Sequence, residues 1–227
     1  MTDWRVSVIM PVYCGEAFIV EALHSITRQD WPIKEIIVVD DGSTDDTASV
    51  VRQFPGRVRY VHQENRGPQH ARNLGLSMAC GNAIAFLDAD DTWCPGKLAI
   101  QGPLLDTEDV VIGHTRIMND PHSEAFILPS LNCALFRKSA FNQIGHLDPE
   151  LEYSDDMDWY MRAREADLAI RIHDDVVLEH RRHDSNLTRN FAKKKRFHLL
   201  MLHKSILRRR EKGIVISPLF SDFRHVG

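Results

Sequence analysis

The chain has 227 residues, of which 43% are hydrophobic and 26% are charged. This composition is close to that of average globular proteins, and it excludes collagen-like, coiled-coil and intrinsically disordered chains. No apolar run approaches the roughly 18 residues of a membrane-spanning helix, and the acidic start of the chain does not resemble a signal peptide. The four cysteines form no CxxC pair, which disfavours a zinc module or a disulfide scaffold. We therefore expect a soluble protein of the cytoplasm.

Charge is distributed unevenly along the chain. Residues 189–212 contain ten lysines or arginines and one acid, a net charge of +9, whereas the rest of the chain carries −13. An acidic body with a basic C-terminal segment indicates two functions, or one function and a charged surface contact.

The first half of the chain alternates between apolar strands and amphipathic helices. The pattern predicts strands at residues 6–10, 35–39, 58–62 and 83–87, with helices at residues 16–28, from about 44, and 67–80. Apolar strands that alternate with helices are typical of a mostly parallel sheet with helices on both faces. The predicted fold class is therefore α/β.

The second half of the chain is less regular. Its pattern predicts strands at residues 110–113, 132–136, 169–172 and 176–178, and helices at residues 138–144, 155–165 and 190–210. No repeat or linker interrupts it. We expect one domain over residues 1–188, followed by a basic amphipathic C-terminal helix and tail over residues 189–227.

Polar side chains follow three of the predicted strands. Tyr13 follows the first strand, Asp40 and Asp41 follow the second, and residues 88–91 (DADD) follow the fourth. Ligands of parallel sheets bind beyond the carboxyl ends of the strands, so these residues should line one crevice.

Three carboxylates stand close together in the segment DADD. Carboxylates at such short range repel each other and raise each other's pKa unless a cation lies between them. Mg²⁺ or Mn²⁺ typically combines one or two carboxylates with substrate phosphates, which makes a diphosphate a natural ligand. A solvated acidic turn explains this segment, taken alone, equally well.

Asp41 and Tyr13 have side chains suited to a nucleotide. A carboxylate accepts hydrogen bonds from a ribose hydroxyl or a base N–H, and an aromatic ring stacks on a base. Helix capping by residues 40–43 (DDGS) and packing of Tyr13 on its own loop explain the same residues without a ligand. The residues alone leave both interpretations open.

Six ordered segments together resemble the family 2 glycosyltransferases. They are residues 7–26 (SVIMPVYCGEAFIVEALHSI), 35–47 (EIIVVDDGSTDDT), 64–76 (ENRGPQHARNLGL), 83–98 (AIAFLDADDTWCPGKL), 134–151 (ALFRKSAFNQIGHLDPEL) and 153–163 (YSDDMDWYMRA). The resemblance extends over residues 6–188, most of the chain.

The resemblance implies a GT-A fold, with a nucleotide-sugar-binding half (residues 1–98) and a smaller acceptor-side sheet (residues 99–188). It further implies an inverting glycosyltransferase that uses a nucleoside-diphosphate sugar, a UDP-sugar being favoured, with Mn²⁺ or Mg²⁺ on the diphosphate. The acceptor would be a saccharide or a lipid-linked saccharide in polysaccharide or glycolipid synthesis.

The resemblance also assigns roles to residues of this chain. The nucleotide-binding positions it implies are Pro11, Tyr13, Asp41, Arg72, Asp88 and Asp90. The metal-binding positions it implies are Asp90, Asp91 and His183, the last from a segment (residues 181–188) that folds back over the nucleotide.

The acid pair Asp155–Asp156 matches the position of the family's catalytic base. Direct displacement with inversion needs a carboxylate that takes the proton of the acceptor hydroxyl. The resemblance makes Asp156 the base and Asp155 the acid before it. Without the resemblance, attraction of acids to a helix N-terminus is the better explanation of the pair. Two residues depart from the family pattern, Cys14 for a common Asn and Asp155 for the usual Glu.

The basic segment has two main interpretations. In the first, it is an amphipathic helix that packs on the domain. In the second, it lies on an anionic membrane surface, which would make the protein peripheral at the inner membrane face. Its few aromatic residues do not alternate with its charges in a pattern that supports base stacking, so no nucleic-acid partner is expected.

Two other functions compete with glycosyl transfer. A sugar nucleotidyltransferase shares the sheet and the acid-bound Mg²⁺, but it needs a Gly-rich basic loop after the first strand, which residues 11–16 lack. A phosphoacceptor receiver module has its acid pair after the first strand, whereas here the pair follows the second.

Overall fold

The computed structural model describes residues 3–183, 191–214 and 224–225. The strands are β1 (Val6–Val12), β2 (Ile33–Asp40), β3 (Val58–His62), β4 (Ala83–Phe86), β5 (Thr92–Trp93), β6 (Val110–Ile117), β7 (Ala134–Arg137), β8 (Ile170–His180) and β9 (Arg224–His225). The helices are α1 (Ile19–Thr27), α2 (Thr47–Gln53), α3 (Pro68–Met78), α4 (Lys97–Leu104), α5 (Lys138–Ile144), α6 (Asp155–Glu165) and α7 (Phe191–Lys212), with a 3₁₀ turn at Leu131–Cys133.

In the described residues the strands form one sheet in the order β3-β2-β1-β4-β7-β6-β8-β5, with β9 beside β8. Strands β1 to β4 are parallel to one another, and β7 joins them by an antiparallel pairing with β4. This arrangement confirms the predicted α/β class. The strands of the second half extend the same sheet through the β4–β7 pair.

The centre of the sheet is its most buried part. Every residue of β1 is buried, because the strand lies between β2 and β4. Helix α3 approaches β1 closely at Gly75, where a Cβ atom would lie 2.4 Å from Cγ2 of Ile9. A glycine at this position therefore sets the spacing between this helix and the sheet.

Strand β1 continues two residues beyond its predicted end, through Pro11. Proline has no backbone N–H and is therefore excluded from strand positions whose N–H must pair with a neighbouring strand. The carbonyl of Ile9, two residues earlier, points toward β4 and accepts from the Leu87 N–H. The backbone of Pro11 faces β4 in the same way, because residues two apart in a strand have the same orientation. The pairing with β4 ends at Ile9–Phe86, so no partner is lost at Pro11.

Other element bounds also differ from the prediction. Helix α1 begins at Ile19 and α2 at Thr47, each about three residues later than predicted. The two short strands predicted at residues 169–172 and 176–178 are one continuous strand, β8, whose register against β6 shifts near His114. Strand β5 and helix α4 are not predicted.

An aromatic cluster fixes α6 against the sheet. The rings of Phe136 and Trp159 meet edge to face with centroids 5.1 Å apart, and Phe141 lies 4.6 Å from Trp159. Each such pair adds about 0.5–1.5 kcal/mol beyond the area that it buries. The cluster thereby holds the acid pair at the start of α6 in a fixed position.

Helix α7 packs against α6, as the first interpretation of the basic segment predicts. Met201 is buried against Leu151 and Met161. Arg208 bonds Glu165 at 2.8 Å, and Lys204 bonds Asp148 at 2.6 Å.

Part of the C-terminal prediction lies outside the described residues. This applies to the domain boundary at 188/189, to residues 184–188 of the segment that folds back, and to residue 190 at the predicted helix start. Among the helices of the described residues, none is both long and apolar enough to cross a membrane.

Candidate active site

Three adjacent strands bring the polar segments to one edge of the sheet. Strands β2, β1 and β4 are neighbours and run in the same direction, so the residues after them share the carboxyl edge. Asp41, Tyr13 and Asp88 follow these strands in that order. These residues therefore lie at one edge of the sheet, beside the acid segment 88–91, and the crevice between them stays a prediction.

Asp88 accepts hydrogen bonds at both of its oxygens. Arg72 Nη2 donates to Oδ1 at 2.6 Å, and the Asn132 amide donates to Oδ2 at 2.9 Å. The guanidinium offsets the repulsion from the neighbouring acids. About a third of the Asp88 side chain stays exposed to the crevice.

Asp91 is buried, and the surrounding protein holds both of its oxygens. Its Oδ1 lies 3.0 Å from His180 Nδ1 and accepts from the Arg181 backbone N–H at 2.9 Å. Its Oδ2 accepts from the Asn132 amide at 3.1 Å. The hydrogen bond to Asp91 is the main reason why the pKa of His180 is raised. Asp91 thus ties the segment after β8 to the acid segment.

Asp90 faces the segment that was expected to fold back. His183 Nε2 lies 2.9 Å from Asp90 Oδ2, and its ring stacks on Phe18 with centroids 5.0 Å apart. Burial, together with the charges of Asp91 and Asp88, raises the pKa of Asp90. A cation beside this carboxylate would relieve that repulsion.

Arg72 connects the acid segment to the start of α6. Besides Asp88, it contacts Asp155, with Nη1 3.2 Å from Oδ2. The charges of these two acids hold the pKa of Arg72 above its usual value despite burial. The resemblance places Arg72 among the nucleotide-binding residues, and that role stays a prediction. In this structure it bridges two carboxylates from different parts of the fold.

Asp156 differs from Asp155 in its electrostatic surroundings. No arginine, lysine or histidine of the described chain forms an ion pair with Asp156. Burial, reinforced by the neighbouring charge of Asp155, raises the pKa of Asp156 to about 7. Burial also raises the pKa of Asp155, although Arg72 opposes the shift. A half-buried carboxyl with a pKa near neutrality is suited to accepting a proton at physiological pH.

Asp41 organises the loop that follows β3. Its carboxylate accepts from the backbone N–H groups of Arg66 at 2.9 Å and Gly67 at 2.8 Å, and from the Gln63 amide at 2.6 Å. Gly67 has a φ of +96°, a conformation that favours glycine. The predicted nucleotide contact of Asp41 stays a prediction.

Tyr13 and Pro11 occupy different environments. The Tyr13 side chain is 56% exposed at the edge of the crevice, and its ring is therefore accessible to a base. Pro11 is buried in β1, beside Val39 of β2. Its predicted place near the base and ribose is not tested by this geometry.

The donor atoms at the acid segment fit a divalent cation that arrives with a diphosphate. Asp90 and His183 offer oxygen and nitrogen ligands of the kind that Mn²⁺ binds. Within the described ranges, no three His, Cys, Asp or Glu side chains converge as a complete metal cage. Mg²⁺ and Mn²⁺ do not need one, because substrate phosphates complete their coordination.

Several residues of the site were not identified from the sequence. Asn132 bridges Asp88 and Asp91, and Arg181 donates to the Asp90 carbonyl at 2.9 Å while pairing with Glu21. The only sequence signal at Asn132 is one polar residue ahead of an apolar strand, which does not distinguish a site residue from a turn.

Comparison with known proteins identifies relatives of the chain. The sequence pattern of the family described as Glycosyl transferase family 2 matches residues 7–149. A glycosyltransferase of Rickettsia felis is 37% identical over 144 residues, which are 63% of this chain and 24% of the relative. The chain thus spans about a quarter of that relative's length. A putative teichuronic acid biosynthesis glycosyltransferase of Bacillus subtilis, TuaG, is 41% identical over 107 residues, 44% of this chain and 42% of the relative.

Two solved structures share the fold at low sequence identity. TarS 1–349 of S. aureus in complex with UDP-GlcNAc has a TM-score of 0.75 at 23% identity, and the match covers 89% of this chain and 66% of TarS 1–349. The mannosyltransferase PcManGT of Pyrobaculum calidifontis, in complex with GDP-Man and Mn²⁺, has a TM-score of 0.70 at 23% identity, and the match covers 96% of this chain and 67% of PcManGT. The pattern match over more than half of the chain and the shared GT-A fold lead to one conclusion: this chain belongs to glycosyl transferase family 2.

Proposed function

We propose that this glycosyltransferase moves a sugar from a nucleoside-diphosphate sugar to an acceptor hydroxyl by direct displacement with inversion. The observation that carries the proposal is the Arg72 bridge. One guanidinium contacts Asp88 after β4 and Asp155 at the start of α6, at 2.6 and 3.2 Å. The acids proposed for the donor and those proposed for the acceptor are therefore neighbours across a single side chain.

The donor side would be formed by the carboxyl edge of the sheet. Tyr13 would stack on the base, and Asp88 would accept from the ribose. Asp90 and His183 would hold Mn²⁺ or Mg²⁺. That ion, when bound, would stabilise the charge that develops on the leaving diphosphate. Asp91 is the weakest of the expected ligands, because both of its oxygens are already bonded within the protein.

The acceptor side would be formed by the start of α6. Asp156 would take the proton from the acceptor hydroxyl as this oxygen attacks the anomeric carbon. Arg72 would fix Asp155 in place and favour its charged form against the effect of burial, and the charge of Asp155 would help to raise the pKa of Asp156. Asp155 would thus act through its charge, and Asp156 would transfer the proton.

The donor class and the biological setting are supported by relatives. Proteins of the same fold are in complex with UDP-GlcNAc and with GDP-Man and Mn²⁺, and the name of one relative refers to teichuronic acid biosynthesis. We propose a UDP-sugar as donor and the synthesis of a cell-surface polysaccharide or glycolipid as the setting.

A calorimetric titration of UDP, GDP and dTDP tests the donor site. We expect one nucleotide to bind in the presence of Mn²⁺ and to bind weakly in EDTA, and Asp90→Asn to abolish the effect of Mn²⁺. Asp3→Asn, a change to an exposed acid paired with Arg5 far from the crevice, is the control. Failure of all three nucleotides to bind would contradict the proposal. Retention of the donor's anomeric configuration in the product would contradict inversion.

We further propose that the solvent face of α7 contacts an anionic membrane. Leu199 (59% exposed), Ile206 (40%) and Leu207 (42%) project there among the basic residues of this helix. Exposed apolar residues set among lysines and arginines suit the interface of an anionic bilayer.

Co-sedimentation with vesicles tests this contact. Binding to anionic but not to neutral vesicles is expected, with a loss in Leu199→Ser/Ile206→Ser. Ile127→Ser, at a site with matched exposure (41%) outside α7, is the control. Equal, negligible binding to both kinds of vesicle would refute the proposal.

A further inference from the structure

We propose that Asn132 is a positioning residue of the donor site: its amide sets the separation of Asp88 and Asp91, and the chain segment 93–101 fixes the amide in place. This inference rests on the proposed function and names a residue that the family resemblance did not assign.

The contacts of the Asn132 amide are specific to two acids. Nδ2 donates to Asp88 Oδ2 at 2.9 Å and to Asp91 Oδ2 at 3.1 Å, and the residue is 3% exposed. An amide nitrogen carries two diverging hydrogens, so each carboxylate receives one of them. Because an amide is neutral, it links the acids without cancelling the negative charge that a cation needs.

The other end of the same amide indicates what orients it. Asn132 Oδ1 is buried, and none of the described residues donates to it. A buried acceptor without a donor is unfavourable for folding. The amide is therefore oriented by the two carboxylates, and folding stability alone does not explain its presence.

The backbone around Asn132 is anchored at three consecutive carbonyls, each by a different side chain. Trp93 Nε1 donates to the carbonyl of Asn132 at 3.1 Å, and Gln101 Nε2 donates to that of Cys133 at 2.9 Å. Lys97 Nζ donates to the carbonyl of Ala134 at 3.3 Å.

Lys97 strengthens this anchor from inside the core. The residue is fully buried, and its Nζ also donates to Gln101 Oε1 at 2.8 Å. Burial lowers the pKa of Lys97 to about 7. A buried lysine that is held between the Ala134 carbonyl and the Gln101 amide connects α4 to the first residue of β7.

These hydrogen bonds connect the acid segment, residues 93–101 and the turn at Asn132 to one another. The acid segment 88–91 runs directly into residues 93–101, which hold the turn at Asn132, and the side chain of Asn132 returns to the acids. Movement of this turn would therefore change the positions of Asp88 and Asp91 together. Outer partners of metal and phosphate ligands act in this way, by restricting the ligands that they touch.

The test compares Asn132→Ala with Asn82→Ala. Asn82 is a matched control, because its side chain also joins two segments, bonding Arg5 N–H at 2.7 Å and the Asp3 carbonyl at 3.0 Å, but at the opposite end of β4. Asn132→Ser, which retains one hydroxyl donor, is a second and milder variant. The measurements are the thermal midpoint, calorimetric titration of UDP with Mn²⁺, and the Mn²⁺ concentration for half-maximal transfer.

We expect Asn132→Ala to raise the Kd of UDP with Mn²⁺ and the half-maximal Mn²⁺ concentration by about tenfold or more, with Asn132→Ser intermediate. Asn82→Ala should change the thermal midpoint only. If Asn132→Ala loses stability but keeps the wild-type Mn²⁺ dependence and UDP affinity, its role is structural and the inference is wrong. If the wild-type chain itself binds no nucleotide, the proposed function fails and this inference fails with it.

Discussion

Replacement of Asp156 by asparagine should make the protein more stable and catalytically inert. The two side chains are nearly equal in size, but only the acid can ionise. Burial and the adjacent charge of Asp155 raise the pKa of Asp156 to about 7. Ionisation is therefore unfavourable in the folded state, and Asp156→Asn removes this cost together with the proposed base.

The magnitude follows from the pKa. An aspartate of an unfolded chain has a pKa of about 4, and each unit of difference corresponds to about 1.4 kcal/mol. A folded pKa of about 7 for Asp156 therefore lowers the free energy of unfolding of the wild type at high pH by at most about 4 kcal/mol. Because the pKa of Asp156 is higher in the folded chain than in the unfolded chain, the wild type has its full stability below about pH 4. It loses this contribution as the pH rises through about 7. The free energy of unfolding of Asp156→Asn should therefore exceed that of the wild type by more at pH 8.5 than at pH 5.

Thermal melts at these pH values, together with transfer assays, measure both effects. In a protein of this size, 1 kcal/mol corresponds to about 2–4 °C, so the upper value of about 4 kcal/mol corresponds to a gain of about 8–16 °C at pH 8.5. Transfer should fall by about 10²–10⁴-fold, and UDP affinity with Mn²⁺ should stay close to the wild-type value. The wild-type rate should rise with pH and level off above about 7.

Asp158, two residues further along α6, is the matched control. Its Oδ2 accepts from Arg162 at 2.7 Å, and its Oδ1 lies 3.0 Å from Arg208. Asp158→Asn should lower the thermal midpoint, because removal of one member of a buried ion pair costs about 3–5 kcal/mol. If Asp156→Asn is no more stable than the wild type at pH 8.5, the pKa of Asp156 is not raised. If the variant transfers sugar at a rate near that of the wild type, Asp156 is not the base.

Three further substitutions test the rest of the crevice. Arg72→Met leaves Asp88 and Asp155 without their countercharge and should cost about 3–5 kcal/mol in urea unfolding; an unchanged midpoint would contradict the bridge. Tyr13→Ala should leave stability within about 0.5 kcal/mol and weaken UDP binding by about 1–3 kcal/mol, whereas an equal Kd would exclude stacking. Asp41→Asn should cost about 1–3 kcal/mol and speed hydrogen exchange at the backbone amides of residues 66 and 67, and exchange at the wild-type rate would show that the carboxylate does not hold this loop.

Sequence reasoning was most accurate where structure is local. The strands and helices of residues 6–87 were predicted because each strand is a local apolar run and each helix has an apolar period of its own. Strand β5 has only two residues, and its partner β8 lies more than eighty residues away, so no local period exists to predict it. Strand β8 looked like two strands because His173 and the two acids after it interrupt its apolar pattern, close to the point where its register against β6 shifts.

The sequence by itself determined the fold class, the family and the carboxylates at the strand ends, because these depend on residue type and spacing along the chain. Only the tertiary structure decided the partners of each carboxylate. Arg72, Asp88, Asn132 and Asp155 are far apart in the sequence, and they meet because β4 and β7 are neighbours in the sheet and α6 packs against β7. The same packing removes water from Asp156 and brings it beside Asp155. The pKa of a carboxyl depends on the water and charge around it in space, and the order of residues alone does not give that arrangement.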